Sequence, residues 1–233
     1  MYYKDFKDFL VEERKRLGER ERMDFPDSGI ILKVLAHPRQ QTKRTHPKTY
    51  SVTQEVSQID INTRGILGDR HFDSARDSTG RESEYPRKTV IAGGRHIFAV
   101  SPYDCRILGE KMGVEITPEL LGANIVIGRE DGKDLPLSEL PITTRLFIAK
   151  SDSLVLPKLP TATLINYVKQ QGCVVTGNAI AEKYDRKELS AMFIANSKDN
   201  RGIVCNIEYP VEVKAALKAG QKVFFRFNQG VSV

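Results

Sequence analysis

A chain of 233 residues is long enough for one large or two small domains and needs no covalent staples to hold a core together. Its 40% hydrophobic and 28% charged residues match ordinary globular proteins and exclude wholesale disorder or a fibrous repeat. A formal charge of +6 favours anionic partners, no run approaches the ~18 apolar residues of a membrane span, and Met1-Tyr2-Tyr3-Lys4-Asp5 lacks a secretory apolar run, so a cytoplasmic location and no membrane partner are expected.

Residues 1–27 read as an N-terminal helical extension. Phe6, Phe9 and Leu10 recur at helical spacing, and Phe25-Pro26-Asp27-Ser28-Gly29 breaks the pattern. Basic and acidic residues mix on its polar face, so its apolar stripe suits the main domain, a protein partner or a second copy of the chain better than a membrane. From residue 28 to 233 a single β-rich domain is expected. Apolar, β-branched runs at 30–35, 52–61, 96–100, 124–127, 145–149, 203–207 and 222–227, separated by Gly/Pro/Asp turns, predict strands of a barrel or sandwich. Residues 33–48 hold Lys33, Arg39, Lys43, Arg44 and Lys48 with His37 and His46 and no acidic residue, a solvated loop or an anion-facing one. Nucleic acid is a weak alternative partner, because no aromatic residues interleave with these cations to stack on bases.

Arg64-Gly65-Ile66-Leu67-Gly68-Asp69-Arg70-His71 packs two glycines, two arginines, a carboxylate and an imidazole into a corner after the second strand. Arg70 offers a planar fork for an oxyanion and Asp69 could orient His71 or Arg70; a plain tight turn is the alternative. Residues 73–84 show no apolar periodicity and predict a long loop, either a lid or simply mobile. Ser101-Pro102-Tyr103-Asp104 is a helix start, so 102–112 is expected to be helical with Cys105, Leu108 and Met112 on one face. Asn124 opens a strand, at a pocket rim or as a local cap. Further helices are predicted at 163–171 and around 178–196. In 202–210, Ile203, Cys205 and Ile207 alternate onto one face of a half-buried strand. The three cysteines, Cys105, Cys173 and Cys205, are widely and irregularly spaced, which suits free thiols and not a disulfide framework or a zinc site. No HExxH, CxxC, GxxxxGK[ST] or GxGxxG pattern is present.

Gly68-Asp69-Arg70-His71, the 95–101 strand leading into a helix, Ile116-Thr117-Pro118 through Leu121-Gly122-Ala123-Asn124-Ile125, and Arg201-Gly202-Ile203-Val204 with Ala219-Gly220-Gln221-Lys222-Val223 resemble, in order and spacing, the MOSC domain, the carboxy-terminal domain of molybdenum cofactor sulfurases. The resemblance spans roughly residues 29–227 and implies an α+β fold, mainly β with helices, on a β-barrel of the pyruvate-kinase type. It also implies binding of an anionic ligand, with a molybdenum-pterin cofactor the leading candidate, at Gly68, Asp69, Arg70, His71, Arg95, Asn124 and Arg201. Sulfur transfer or molybdenum-dependent reduction is the implied activity, pyridoxal phosphate binding a further family association, and a non-catalytic scaffold the alternative. The family's key residue is a cysteine soon after a strand, usually preceded by proline, which ligates molybdenum or bears sulfur. In Leu156-Pro157-Lys158-Leu159-Pro160-Thr161-Ala162-Thr163 that position falls on Thr161, and Ala123 replaces the usual acidic residue before the asparagine. A hydroxyl can do neither job, since both need thiolate chemistry. Cys173, about a dozen residues on, could fold back into the site, with ordinary burial as the alternative.

Overall fold

The computed structural model describes residues 28–38, 51–69, 71–72, 75–77, 86–92, 95–149, 160–170, 172–209 and 214–227. The predicted N-terminal helix, Arg70 and most of the basic run lie outside these residues. Lys33, the first cation of that run, is paired with Glu55 at 3.2 Å and Glu119 at 3.4 Å, so it belongs to a surface charge cluster.

Strand β1 (Ser28–Ala36) pairs antiparallel with β2 (Gln54–Val56), and β3 (Ile59–Asn62) pairs with β4 (Gly65–Ile66). Next come β5 (Ala75–Asp77), β6 (Val90–Ala92), β7 (Ile97–Val100), helix α1 (Pro102–Met112), the short helix α2 (Pro118–Leu121), β8 (Ile125–Gly128), a 3-10 turn (Leu137–Glu139) and β9 (Arg145–Ile148). The chain continues through β10 (Ala162–Lys169), α3 (Val174–Lys183), α4 (Glu188–Asn196), β11 (Ile203–Tyr209), β12 (Ala215–Leu217) and β13 (Lys222–Arg226). The main sheet runs β13-β9-β10-β11-β7-β8-β1, and β1 also pairs with β13, so seven strands close into a barrel. Every neighbouring pair in it is antiparallel except β7–β8. Closure removes the exposed edges that an open sheet of this length would leave. This is the mainly β, MOSC-like barrel with helices that the resemblance implies.

Period-two alternation sorts the strands into two cores. Ile97, Ala99, Ile125, Ile127, Ile203 and Cys205 point into the barrel, with Phe225 among the side chains that fill it. Phe98, Val100, Val126 and Val204, from the same strands, point outward and are covered by Leu108 and Met112 of α1, Ile180 of α3 and Phe193 of α4. Helix α1 begins as its sequence predicts: Ser101 Oγ accepts from the Asp104 backbone N–H at 3.1 Å, and Asp104 accepts from the Ser101 N–H at 3.0 Å. Cys105 and Cys205 are buried, as expected of thiols used for packing.

Three expectations need correction. Residues 163–171 do not form a helix. Here β10 pairs with β9 on one side and β11 on the other, and Ala162, Leu164 and Asn166 alternate inward. The spacing of Leu164 and Val168 imitates a helical face, but Thr163, Ile165, Tyr167 and Val168 favour a strand, and the barrel cannot close without one. The single helix expected around 178–196 is two, broken at Asp185, which takes a left-handed φ of 50°. The 73–84 segment is not all loop, because β5 pairs with β6 through Ala75↔Ala92 and Asp77↔Val90. Among the described residues no helix is long and apolar enough to cross a membrane.

Candidate functional site

A cavity of about 410 Å³ opens where the outer face of β7, β8 and β11 meets the start of α3, and His37, His71, Arg95, Asn124, Cys173 and Arg201 line it. Its volume lies in the range of small-molecule sites. Every charged or titratable group in that lining is a cation, an imidazole or a thiol, so the cavity suits an anion.

The Gly68–His71 corner supplies one wall. Gly68 sits at φ 83°, a backbone shape that glycine adopts without strain. The turn then closes through Asp69 N–H to Ile66 O at 3.0 Å and Phe72 N–H to Asp69 O at 3.1 Å. Asp69 Oδ1 accepts from the His71 backbone N–H at 2.8 Å and lies 3.1 Å from His71 Nδ1. A proton on Nδ1 fits this pairing and turns the rest of the ring toward the cavity. Burial works to raise the Asp69 carboxyl, but the hydrogen bonds from His71 outweigh it and hold Asp69 below the ordinary carboxylate range. Asp69 therefore orients His71. His37, just after β1, stacks its ring 6.4 Å from that of His71 at a 58° tilt.

Asn124 lines the cavity, and its carbonyl is spent on the fold. Its Oδ1 accepts from the Phe98 N–H at 2.9 Å, while its own N–H donates to Phe98 O at 2.7 Å and its O accepts from the Leu35 N–H at 2.7 Å. It thus ties β7 to β1 where the parallel pair begins. Asn124→Ala would strand a buried N–H, so thermal or urea unfolding should show a loss of about 1–3 kcal/mol.

Arg95 is exposed on the rim, whereas Arg201 is only 2% exposed and forms the floor. One Arg201 nitrogen donates to Leu121 O at 2.9 Å and to Thr176 Oγ1 at 2.8 Å. The Phe98 and Phe193 rings lie 5.2 and 5.0 Å from the guanidinium carbon.

Cys173 is the exposed cysteine and the N-cap residue of α3. Its Sγ is 3.2 Å from Thr176 Oγ1. Burial of the sulfur works to raise its pKa, but the Arg201 charge, hydrogen bonds from Thr176 and a hydrogen bond from Arg201 outweigh it, so the thiol titrates below its ordinary value. Cys205 and Cys105 behave oppositely, since burial pushes both thiols far up. Gly172 positions Cys173 by close approach: a Cβ there would collide with Ser197 Oγ and come within 3.0 Å of Ile194 Cα on α4. Gly172→Pro should lower the unfolding temperature and slow alkylation of Cys173, because the ring has no room.

The geometry therefore brings together Asp69, His71, Arg95, Asn124, Cys173 and Arg201, with Gly68 shaping the turn, while Arg70 lies outside the described residues. Thr161 does not line the cavity. Its N–H donates to Ile148 O at 2.7 Å at the start of β10, the end opposite Gln170 and the cavity. At about 3.3 Å per residue the two ends are roughly 30 Å apart. Cys173 follows the end of β10 and lines the cavity. Gln170 and Thr176 were not foreseen, since the sequence pattern predicts no helix starting at residue 174.

The chain has a MOSC-like fold that carries a cationic cavity and an exposed thiol at the head of α3. The chain is 32% identical over 161 residues, 68% of its length and 77% of the relative's, to YuaD of Bacillus subtilis, whose name provisionally places it in metal-sulfur cluster biosynthesis; the chain belongs to that protein's family. The crystal structure of YuaD superposes with a TM-score of 0.66 at 27% identity, covering 87% of this chain and 97% of that one. YiiM from Geobacillus stearothermophilus shares the fold at a TM-score of 0.51 and 10% identity, over 88% of this chain and 77% of its own. No family model matches the sequence.

Proposed function

We propose that this chain is a sulfur carrier that receives a sulfane sulfur on Cys173 and passes it on toward metal-sulfur assembly. One observation carries the reading: the exposed thiol at the head of α3, beside Arg201 and Thr176, opens into a cavity lined by cations. A thiolate there can attack the outer sulfur of a donor persulfide. The new S–S bond forms at Cys173 as the donor's S–S bond breaks, the donor leaves as its thiolate, and no net electrons are needed. The basic lining lowers the cost of the persulfide anion that results. The relative's name supports this direction.

The test is incubation of the purified chain with glutathione persulfide, followed by peptide mass spectrometry under non-reducing conditions. One added sulfur atom on the Cys173 peptide, removable by a thiol reductant, is the expected result; a folded protein that leaves Cys173 unmodified sinks the reading.

The same cavity suits a phosphorylated ligand, and the molybdenum-pterin cofactor is the one the family resemblance implies. Arg95 and His71 at the rim would face its phosphate; what the cofactor would supply is oxygen-atom and electron chemistry that the chain's side chains lack. Natively purified protein from cells that make the cofactor should then carry molybdenum and pterin fluorescence, and finding neither removes this ligand while leaving the sulfur reading untouched.

A further inference from the structure

The MOSC resemblance places Arg201 among the groups that grip a ligand, yet its setting is wrong for that. It is 2% exposed, its faces are covered by Phe98 and Phe193, and one nitrogen is committed to Leu121 O and Thr176 Oγ1. A cation taken this far from water persists only where charges and hydrogen bonds compensate it. The opposite charge acting on it is that of Cys173, which stabilises the guanidinium, while burial and the like charge of Arg95 work against it.

Arg201 also bonds the Cys173 sulfur directly, and Thr176 touches both. The threonine is 1% exposed, its oxygen receives an Arg201 N–H at 2.8 Å, and the same atom is 3.2 Å from Cys173 Sγ. A hydroxyl has one proton. With Arg201 donating to the oxygen, that proton is best used toward the sulfur, and a sulfur anion is the acceptor that rewards it most. The first turn of α3 adds the positive end of its dipole from the same side.

We propose that Arg201 and Thr176 are positioning residues that hold the Cys173 sulfur as an anion facing the cavity, with Arg201 acting through its charge, its own hydrogen bond to the sulfur and the threonine hydroxyl, and not by gripping a ligand. The proposal deepens the sulfur-carrier reading, and it is tested on the thiol itself, with no sulfur donor present. His37, His71 and Arg95 also face the cavity that Cys173 opens into. They are present in every variant below, so a difference between variants isolates the relay.

The experiment follows alkylation of Cys173 by iodoacetamide across pH in the native full-length chain, read from the Cys173 peptide by mass spectrometry. In the unsubstituted protein the rate reaches half its maximum below the ordinary thiol value. Thr176→Val keeps the shape but removes the proton, and should slow alkylation roughly tenfold at neutral pH; Thr176→Ser restores the hydroxyl and should restore the rate. Arg201→Lys keeps a cation but loses the planar fork, and should also move the profile upward, which covers the case in which Thr176→Val does not fold. Two results overturn the proposal: an unsubstituted profile centred on the ordinary thiol value, or folded Thr176→Val and Arg201→Lys proteins that both match the unsubstituted profile. If the variants shift the profile but glutathione persulfide never loads Cys173, the relay stands and the carrier reading falls. If sulfur loads while the profile ignores both substitutions, the reverse holds.

Discussion

Replacing Cys173 by serine is expected to abolish sulfur loading entirely while leaving the fold intact. The side chain is exposed and lies outside both hydrophobic cores, so the substitution removes no buried packing. Serine can still cap α3 and bond Thr176, so the helix keeps its start. What disappears is the polarizable, easily ionised sulfur, and a serine hydroxyl at neutral pH neither attacks a sulfane sulfur nor bears one. The matching control is Thr161→Val, at the far end of β10, which should load sulfur like the unsubstituted chain. Mass spectrometry of both proteins after glutathione persulfide treatment checks the pair. Full loading of Cys173→Ser at another residue, or loss of loading in Thr161→Val, would remove Cys173 from its role.

The contrast between these two residues shows where the sequence spoke and where it did not. Strands of the β11 kind were readable because apolar and polar residues alternate: Ile203, Cys205 and Ile207 are buried in the barrel, while Asn206 and Glu208 on the other face are not, although Val204 there is buried under the helices. Helix α1 was readable because Ser101, Pro102 and Asp104 state its start chemically, and the structure has that capping box. Strand β10 was not. Its inward residues are Ala162, Leu164 and Asn166, the last a polar side chain that donates to the Leu140 and Pro141 carbonyls at 3.2 and 2.9 Å. A buried asparagine erases the apolar alternation that marks a strand, and the eye falls on Leu164 and Val168 instead.

Reading β10 as a helix also hid that its far end leads directly to Cys173 at the cavity. Before Cys173 the approach of α4 at Ser197 and Ile194 leaves space for glycine alone, a constraint set by a helix more than twenty residues away. Convergence of distant groups is likewise a tertiary fact. The corner at Gly68–His71 announced itself by density of polar residues, but its partner across the cavity, Arg201, was visible only as a family motif. That Arg201 is buried and shared between Thr176 and two rings depends on α3 and α4 folding over β7 and β11.

Phe193 links that electrostatic arrangement to stability, and Phe193→Ala should be the most damaging single change outside the barrel interior. The ring is fully buried among Leu108, Met112, Ile180 and Leu189, between the helices and the barrel wall. Truncation to alanine in such a setting costs about 3–5 kcal/mol from lost transfer energy and the cavity left behind. For a domain of this size that corresponds to roughly 10 °C in unfolding temperature. A second loss is particular to this position. The ring covers one face of Arg201 at 5.0 Å, and removing it lets water reach the guanidinium and weakens its hold on Thr176 and on the sulfur. Phe193→Leu separates the two effects, since it keeps most of the buried volume but not the aromatic face. Calorimetry should place the leucine variant close to the unsubstituted protein, whereas alkylation of Cys173 should slow in both variants. A leucine variant with unaltered thiol reactivity would show that Phe193 serves packing alone, and would leave Phe98, on the guanidinium's other face, as the ring that matters to the charge.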